Sequence, residues 1–399
     1  MSISKRAQEV QASPIRKLMP YANATKQKGI KVYHLNIGQP DIETPQVMID
    51  AYRNFNEKIV AYGPSQGLDE YRQVLVKYYG KLGIPLNIDD IIVTVAGSEA
   101  CVFAMLVTCN HGDEIIVPEP FYTNYNGFAS MTGVNLVPLT TYAETGFALP
   151  ERKIIEDHIT SKTKAIMICN PGNPTGTVYT KKEIEMLGEI ALKHNLFLIS
   201  DEVYREFVYE GEKCTSVLEL KGCEELAILC DSVSKRYSAC GARVGSIVSR
   251  NKELMAAVLK FGQARLCPPT VDQLAAAASD LLPENYIDDT MHEYNKRRNL
   301  VYEELQKIEG LICVKPRGAF YIIAKLPIED AEDFTIWLLN NYQINNETVM
   351  LSPAEGFYAT PGLGRNEVRI AYILKEEDLK IAMNIFVKGL EEYRRIKKL

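Results

Sequence analysis

From Asp89 to about Arg250 the chain alternates short apolar runs with longer amphipathic ones. IIVTV precedes SEACVFAMLVTC, EIIVP precedes YTNYNGFASM, and TKAIMIC precedes KKEIEMLGEIALKHN, with LFLIS and AILCDSV following. The short runs are apolar throughout instead of alternating, which suits strands covered on both faces, while the segments between them carry helical spacing. The pattern predicts an α/β fold whose large domain has a mostly parallel central sheet flanked by helices. In ETPQVMIDAYRNF, Thr44 is expected to cap a helix that begins at Pro45, with Val47, Met48, Ala51, Tyr52 and Phe55 on one face. After about Asp288 the rhythm changes. A long helix, MHEYNKRRNLVYEELQKIEG, leads to two strand-like runs, ICVKP and GAFYIIAKL, then to a helix around Trp337, the run VRIAYIL and a charged terminal helix. This tail predicts a smaller α+β domain into which the first forty or so residues also pack. The expected division is 47–290 for the large domain, and 1–46 with 291–399 for the small one.

Composition narrows the class. With 399 residues, 46% hydrophobic and 24% charged, the chain has the make-up of an ordinary globular protein with room for more than one core. A net charge of −6 argues against nucleic acid or an anionic membrane as partner, since both favour a basic face. The nine cysteines are scattered and form no CxxC pair, which points to free thiols in a reducing compartment. MSISKRAQEVQASP lacks the apolar core of a secretion signal, and no run approaches the ~18 apolar residues of a membrane span, so a cytoplasmic protein is expected. The five histidines lie far apart, so no metal is expected. His34 reads as a strand residue and His194 as a helix end. A phosphate loop of the GxxxxGK[ST] type does not occur.

Candidate chemistry sits just past each predicted strand, where open α/β sheets bind their ligands. AGSEA follows IIVTV, EPFY follows EIIVP, NPGNPTG follows AIMIC, DEVY follows LFLIS, and DSVSK follows AILC. Gly97 and Ser98 in AGSEA open a helix, where free N–H groups favour an anion such as phosphate. DEVY offers Asp201, a carboxylate costly to bury without a cation, and Tyr204; Glu202 would serve as an ordinary cap. In DSVSKRYSACGARVG, Lys235 supplies a nucleophilic amine, Arg243 a two-pronged fork for phosphate, and Ser232 and Ser234 hydroxyls. A surface Lys–Arg pair is the plain alternative for Lys235 and Arg236.

Taken together, SVSKRYSACGARVG, NPTG, DEVY, YGPSQGLDEYR and a late VRIAY resemble, in order and spacing, the class I aminotransferases, pyridoxal-phosphate enzymes similar to aspartate aminotransferase. The resemblance runs from about Ser13 to the C-terminus. It implies the pyridoxal-phosphate transferase fold, with pyridoxal 5′-phosphate as cofactor and Lys235 as the amine that bonds its aldehyde. Asp201 would face the ring nitrogen, keeping the ring an electron sink. Asn173 and Tyr204 would hydrogen-bond the ring's phenolic oxygen. Arg243, Ser232, Gly97 and Ser98 would hold the phosphate, and Tyr122 would stack on the ring where many relatives have tryptophan. Tyr62, in AYGPSQG, would reach the neighbouring subunit's phosphate, implying a homodimer with shared active sites. Arg369 would clamp the substrate α-carboxylate, aided by a backbone N–H of Gly38 and by Asn173.

The implied reaction passes an amino group from an amino acid to a 2-oxo acid such as 2-oxoglutarate by a ping-pong course. Aspartate or another small or dicarboxylic amino acid is the expected donor. Some relatives bind a side-chain carboxylate with an arginine before a turn; here GQARLCPPT places Gly262 at that point, with Arg265 three residues on. A pyridoxal-phosphate C–S or other β-lyase, or a cyclopropane-carboxylate synthase, fits the same residues.

Overall fold

A computed structural model describes residues 1–11 and 13–399. In chain order, α1 (Lys5–Glu9) and α2 (Met19–Gln27) precede β1 (Lys31–His34), then α3 (Gln46–Arg53) and α4 (Asp69–Lys81). The alternating region gives β2 (Ile91–Val95), α5 (Ala96–Thr108), β3 (Glu114–Glu119), α6 (Asn124–Thr132), β4 (Asn135–Thr140), α7 (Arg152–Asp157), β5 (Thr163–Cys169), α8 (Lys181–His194) and β6 (Phe197–Asp201). It closes with β7 (Ala227–Ser232), the single turn α9 (Val233–Arg236) and β8 (Val244–Val248). Helices α10 (Lys252–Arg265), α11 (Thr270–Ala277) and α12 (Tyr286–Leu305) follow. The last part holds β9 (Tyr321–Lys325), α13 (Ala331–Asn341), β10 (Glu347–Met350), β11 (Ser352–Pro353), β12 (Glu367–Ala371) and α14 (Glu376–Lys397).

The central sheet has seven strands in the order β2-β8-β7-β6-β5-β3-β4. It is parallel except at β8, which runs antiparallel to both β2 and β7. The fully apolar runs are buried on both faces, as their composition requires. Neighbouring residues of one strand enter opposite layers: Ile166 and Ile168 pack with Leu198 and Leu229 on one face, Ala165 and Met167 with Ile199 and Ile228 on the other. Strand β4, which the hydrophobic pattern does not single out, is the half-exposed sheet edge, where Pro138 costs no ladder bond. Gly245 lets β8 close on the β2–α5 turn, since a Cβ there would lie 2.4 Å from the Ala96 carbonyl carbon.

Both ends of the chain meet in a further layer. β1 pairs in parallel with β10, and β11-β12-β9 form an antiparallel sheet backed by α12, α13 and α14. ICVKP is not a strand; it contributes one bridge, Ile312 to Lys325, before Pro316 removes the next donor, and Val314 is half exposed. Helix α12 starts at Tyr286, earlier than its sequence pattern suggests, and ends at Leu305. Thr44 does not cap α3. Its hydroxyl is drawn away to the Ser238 carbonyl at 2.8 Å, and α3 begins at Gln46 after Pro45. Thr180, by contrast, caps α8 in a reciprocal pair with Glu183, a device that stabilises a helix by about 1 kcal/mol. His34 ends β1 and His194 ends α8, as read from the sequence.

Candidate functional site

The carboxyl ends of β5, β6 and β7 and the start of α5 open on one cavity of about 680 Å³, closed from the other side by residues of both chain ends. It is lined by Gly38, Gly97, Ser98, Tyr122, Asn173, Asp201, Tyr204, Ser232, Lys235, Arg243 and Arg369. Those positions span more than three hundred residues of sequence. Among the residues singled out from the sequence, Tyr62 lies outside: it is 82% exposed beside Ile59 and Val60, and contributes nothing to its own chain's cavity.

Lys235 sits in α9, the turn that Ser232 caps by accepting from the Ser234 amide. Its half-buried amine donates to the Gly38 carbonyl at 2.9 Å and lies 3.7 Å from the Cys240 sulfur. Gly38 therefore faces the lysine with its carbonyl. No side chain fits at Gly38, because a Cβ would lie 1.7 Å from the Tyr321 hydroxyl oxygen. The next residue, Arg236, is not the surface cation that a Lys–Arg pair suggests. It is buried against Asp231 at 2.6 Å and over the Tyr78 ring at 4.1 Å. Removing either partner of such a buried pair costs about 3–5 kcal/mol, so Arg236 anchors the turn while Lys235 faces the cavity. Glu202 is likewise structural: fully buried, it pairs with Arg205 and accepts from Ser216 Oγ and the Val217 amide instead of capping.

Asp201 ends β6 with its carboxylate in the cavity wall. Tyr125 donates to Oδ2 at 2.8 Å, and the Val203 amide lies 3.4 Å from Oδ1. Among the described residues no cation pairs with it, and burial pushes its carboxyl up to about 6 against the relief those hydrogen bonds give. The wall thus holds an acid that lacks a positive partner. Arg369, in β12, is the counterpart: 1% exposed, it donates to Asn173 Oδ1 at 2.9 Å and to the Asn36 carbonyl at 2.5 Å, and its Nε has no partner. Burial lowers the Arg369 guanidinium from its ordinary range, opposed by the tyrosines around it. It rests on the Tyr321 and Phe357 rings at 4.5 and 4.9 Å. Tyr204 shares a 2.9 Å hydrogen bond with Tyr321, and burial raises its phenol well above the usual range.

At the α5 end, Gly97 and Ser98 follow Ala96, which takes a left-handed φ of 62° and turns the chain sharply from β2 into the helix. Ser232 Oγ lies 2.7 Å from Ser234 Oγ, and Arg243 is exposed at the cavity rim with its guanidinium on the Cys240 carbonyl at 3.0 Å. Together they offer an anion site. Tyr122 meets Tyr125 edge-on at 5.5 Å between ring centres. Tyr125, Tyr321, Asn36 and Arg16 are among the site residues that sequence reasoning does not reach. Tyr125 has a signal, since it follows the same strand end as Tyr122; the Tyr321 and Asn36 contacts come from the chain ends, which no local pattern predicts. Arg265 does not line the cavity. Glu99 at 3.2 Å and the Val93 carbonyl at 3.1 Å engage its guanidinium, and Gly262 lies outside the lining as well.

Residues 30–386 match the profile of the family described as aminotransferase class I and II. The chain is 33% identical to an aspartate aminotransferase of Pyrococcus abyssi, over 98% of this chain and 99% of that protein. It is 31% identical to aromatic-amino-acid aminotransferase 2 of Thermococcus litoralis, over 99% of this chain and all of the relative. Among solved structures, an alanine aminotransferase from Pyrococcus furiosus superposes with a TM-score of 0.89 at 34% identity, covering 98% of this chain and 100% of that one.

Proposed function

The chain belongs to the class I and II aminotransferase family, and on that premise we propose that it moves an amino group between an L-amino acid, aspartate or another small or dicarboxylic one, and a 2-oxo acid such as 2-oxoglutarate. Pyridoxal 5′-phosphate is the family's cofactor, and the residues present fit it. A buried carboxylate without a cation, at Asp201, is what a protonated ring nitrogen needs opposite it. The observation that carries the reading is that Asp201, Lys235 and Arg369, from three distant parts of the chain, line one cavity.

When bound, pyridoxal phosphate supplies an aldehyde that takes up the substrate's amino group and a ring that draws electrons from the α-carbon. Gly97, Ser98, Ser232 and Arg243 would hold its phosphate, Asn173 and Tyr204 its phenolic oxygen, and Tyr122 its ring face. Arg369 would bind the substrate α-carboxylate, its donors already set by Asn173 and Asn36. That leaves Lys235 Nζ, steered by the Gly38 carbonyl, to bond the aldehyde at rest and to take the α-proton in turnover. A β-lyase is not favoured, since the relatives named above are aminotransferases.

The test is a half-reaction screen. Holoenzyme incubated with single amino acids is expected to pass from the pyridoxal to the pyridoxamine spectrum and release the matching 2-oxo acid. Pyruvate and ammonia released without any acceptor would point to the lyase instead.

A homodimer is part of the reading. Ile59, Val60 and Tyr62 expose 78%, 66% and 82% of their surface in one run, an apolar patch that a second copy would cover. The expected outcome is a dimer in sedimentation, with Val60→Asp giving a monomer of much lower activity; a fully active monomer contradicts shared sites. The division into 47–290 and 1–46 with 291–399 is supported by the core that packs β1, β9, β10 and β12 against α12 to α14, which Tyr204, Phe207 and Tyr209 of the larger unit join at the boundary. A cytoplasmic setting is supported by nine free cysteines. No helix among the described residues is long and apolar enough to cross a membrane.

A further inference from the structure

The cations lining the cavity are Arg16, Lys235, Arg243 and Arg369, and Asp201 is the acid facing them. The proposed function uses every one of these except Arg16. Arg243 answers a phosphate, Arg369 an α-carboxylate, and Lys235 the aldehyde. Arg16 is exposed, and among the described residues no acid or carbonyl engages its guanidinium. Lys17 beside it is already paired with Glu332 at 2.6 Å.

The segment that carries Arg16 is fixed on both sides. Pro14 packs on Gly356 so closely that a Cβ there would lie 2.3 Å from the Pro14 Cβ. Ile15 packs on the cluster of Phe147, Ile323 and Phe357, and Leu18 is buried against Val32 and Met350. Asn36 then links this segment to the substrate clamp: its side-chain amide donates to the Ile15 carbonyl at 3.4 Å, and its own carbonyl accepts from Arg369 at 2.5 Å. Arg16 therefore stands one residue from a chain position that a single asparagine ties to Arg369. Arg16 and Arg369 line the same cavity, Arg16 from the segment next to the clamp.

We infer that Arg16 is the specificity-determining residue that binds a second carboxylate, so that the substrates are dicarboxylic: glutamate or aspartate as donor and the matching 2-oxo diacid as acceptor. The inference rests on the aminotransferase reading. Arg265 is engaged by Glu99 and the Val93 carbonyl and does not line its own chain's cavity.

The experiment compares holoenzyme and Arg16→Gln in single-turnover half-reactions with glutamate and with alanine. The ratio of glutamate to alanine kcat/KM is expected to fall about 10–100-fold, as loss of a charged hydrogen-bonded pair predicts. Binding of glutarate, a diacid with no amino group to react, is expected to weaken by a similar factor in calorimetry, while butyrate binding is not. Arg369→Ala is the control: it lowers both amino acids alike and leaves the ratio near the wild-type value. A ratio unchanged in Arg16→Gln, or glutarate bound as tightly as before, overturns the inference. Wild-type enzyme that converts alanine and refuses glutamate also overturns it, with the aminotransferase reading intact. Wild-type enzyme that converts no amino acid removes both.

Discussion

Replacing Lys235 by alanine is expected to lower turnover at least about 10⁴-fold, the upper end of what a positioned proton-transfer group contributes. Cofactor added to this variant keeps the absorption spectrum of free pyridoxal phosphate. The expectation follows from placement. Lys235 is the amine in the cavity wall, and its Nζ is held by the Gly38 carbonyl at 2.9 Å, about 6.0 Å from the centre of the Phe320 ring. No other lysine lines the cavity among the described residues, so none stands in for it. Lys235→Arg is expected to fall as far, because a guanidinium keeps its charge but does not give up its proton. Arginine restoring activity would mean that Nζ serves only as a positive charge. The loss must also come without unfolding, and here the geometry helps: the stability of the turn rests on Arg236 with Asp231, not on Lys235.

The second large effect is at Asp201, and its sign reverses between the loaded and the bare protein. In holoenzyme, Asp201→Asn removes the negative partner of the ring nitrogen. Losing one member of a desolvated charge pair costs about 2–5 kcal/mol, so turnover is expected to fall about 30- to 5,000-fold. Without cofactor the same carboxylate is a burden. Burial raises its pKa from the usual carboxylate range to about 6, so the native chain holds this proton more tightly than the unfolded chain does. The stability that the proton confers is complete below about pH 4 and is lost as pH rises through about 6, an effect of order 3 kcal/mol. Cofactor-free Asp201→Asn is therefore expected to melt higher than wild type at pH 8 and alike at pH 4. A lower melting temperature at pH 8 would show that the carboxylate has a cationic partner within the chain.

How far the sequence could be read depended on how local each contact is. Lys235, Asp201, Asn173 and Gly97 were legible because each follows a buried apolar strand, and parallel strands deliver their carboxyl ends to one side of the sheet. The strands were legible for the same reason: a run apolar at every position has few other uses. Where a partner lay far away in sequence, the reading failed. The Thr44 hydroxyl goes to the Ser238 carbonyl, not to the start of α3. Nothing local in the sequence distinguishes Arg236 from half of a surface pair or Glu202 from a cap, because their partners, Asp231 and Arg205, are set by packing. Pro138 blurred β4, and a proline after Lys315 stopped ICVKP short of a strand.

The meeting of the two chain ends over the cavity has a consequence for assembly. Arg16 and Gly38 precede the central sheet in the sequence and Lys235 lies within it, but Arg369 comes with β12, well after the last strand of that sheet. A chain without β12 would hold Lys235 but lack Arg369, the residue proposed to grip a substrate. The cavity is therefore complete only once the segment that carries β12 has docked against the central sheet.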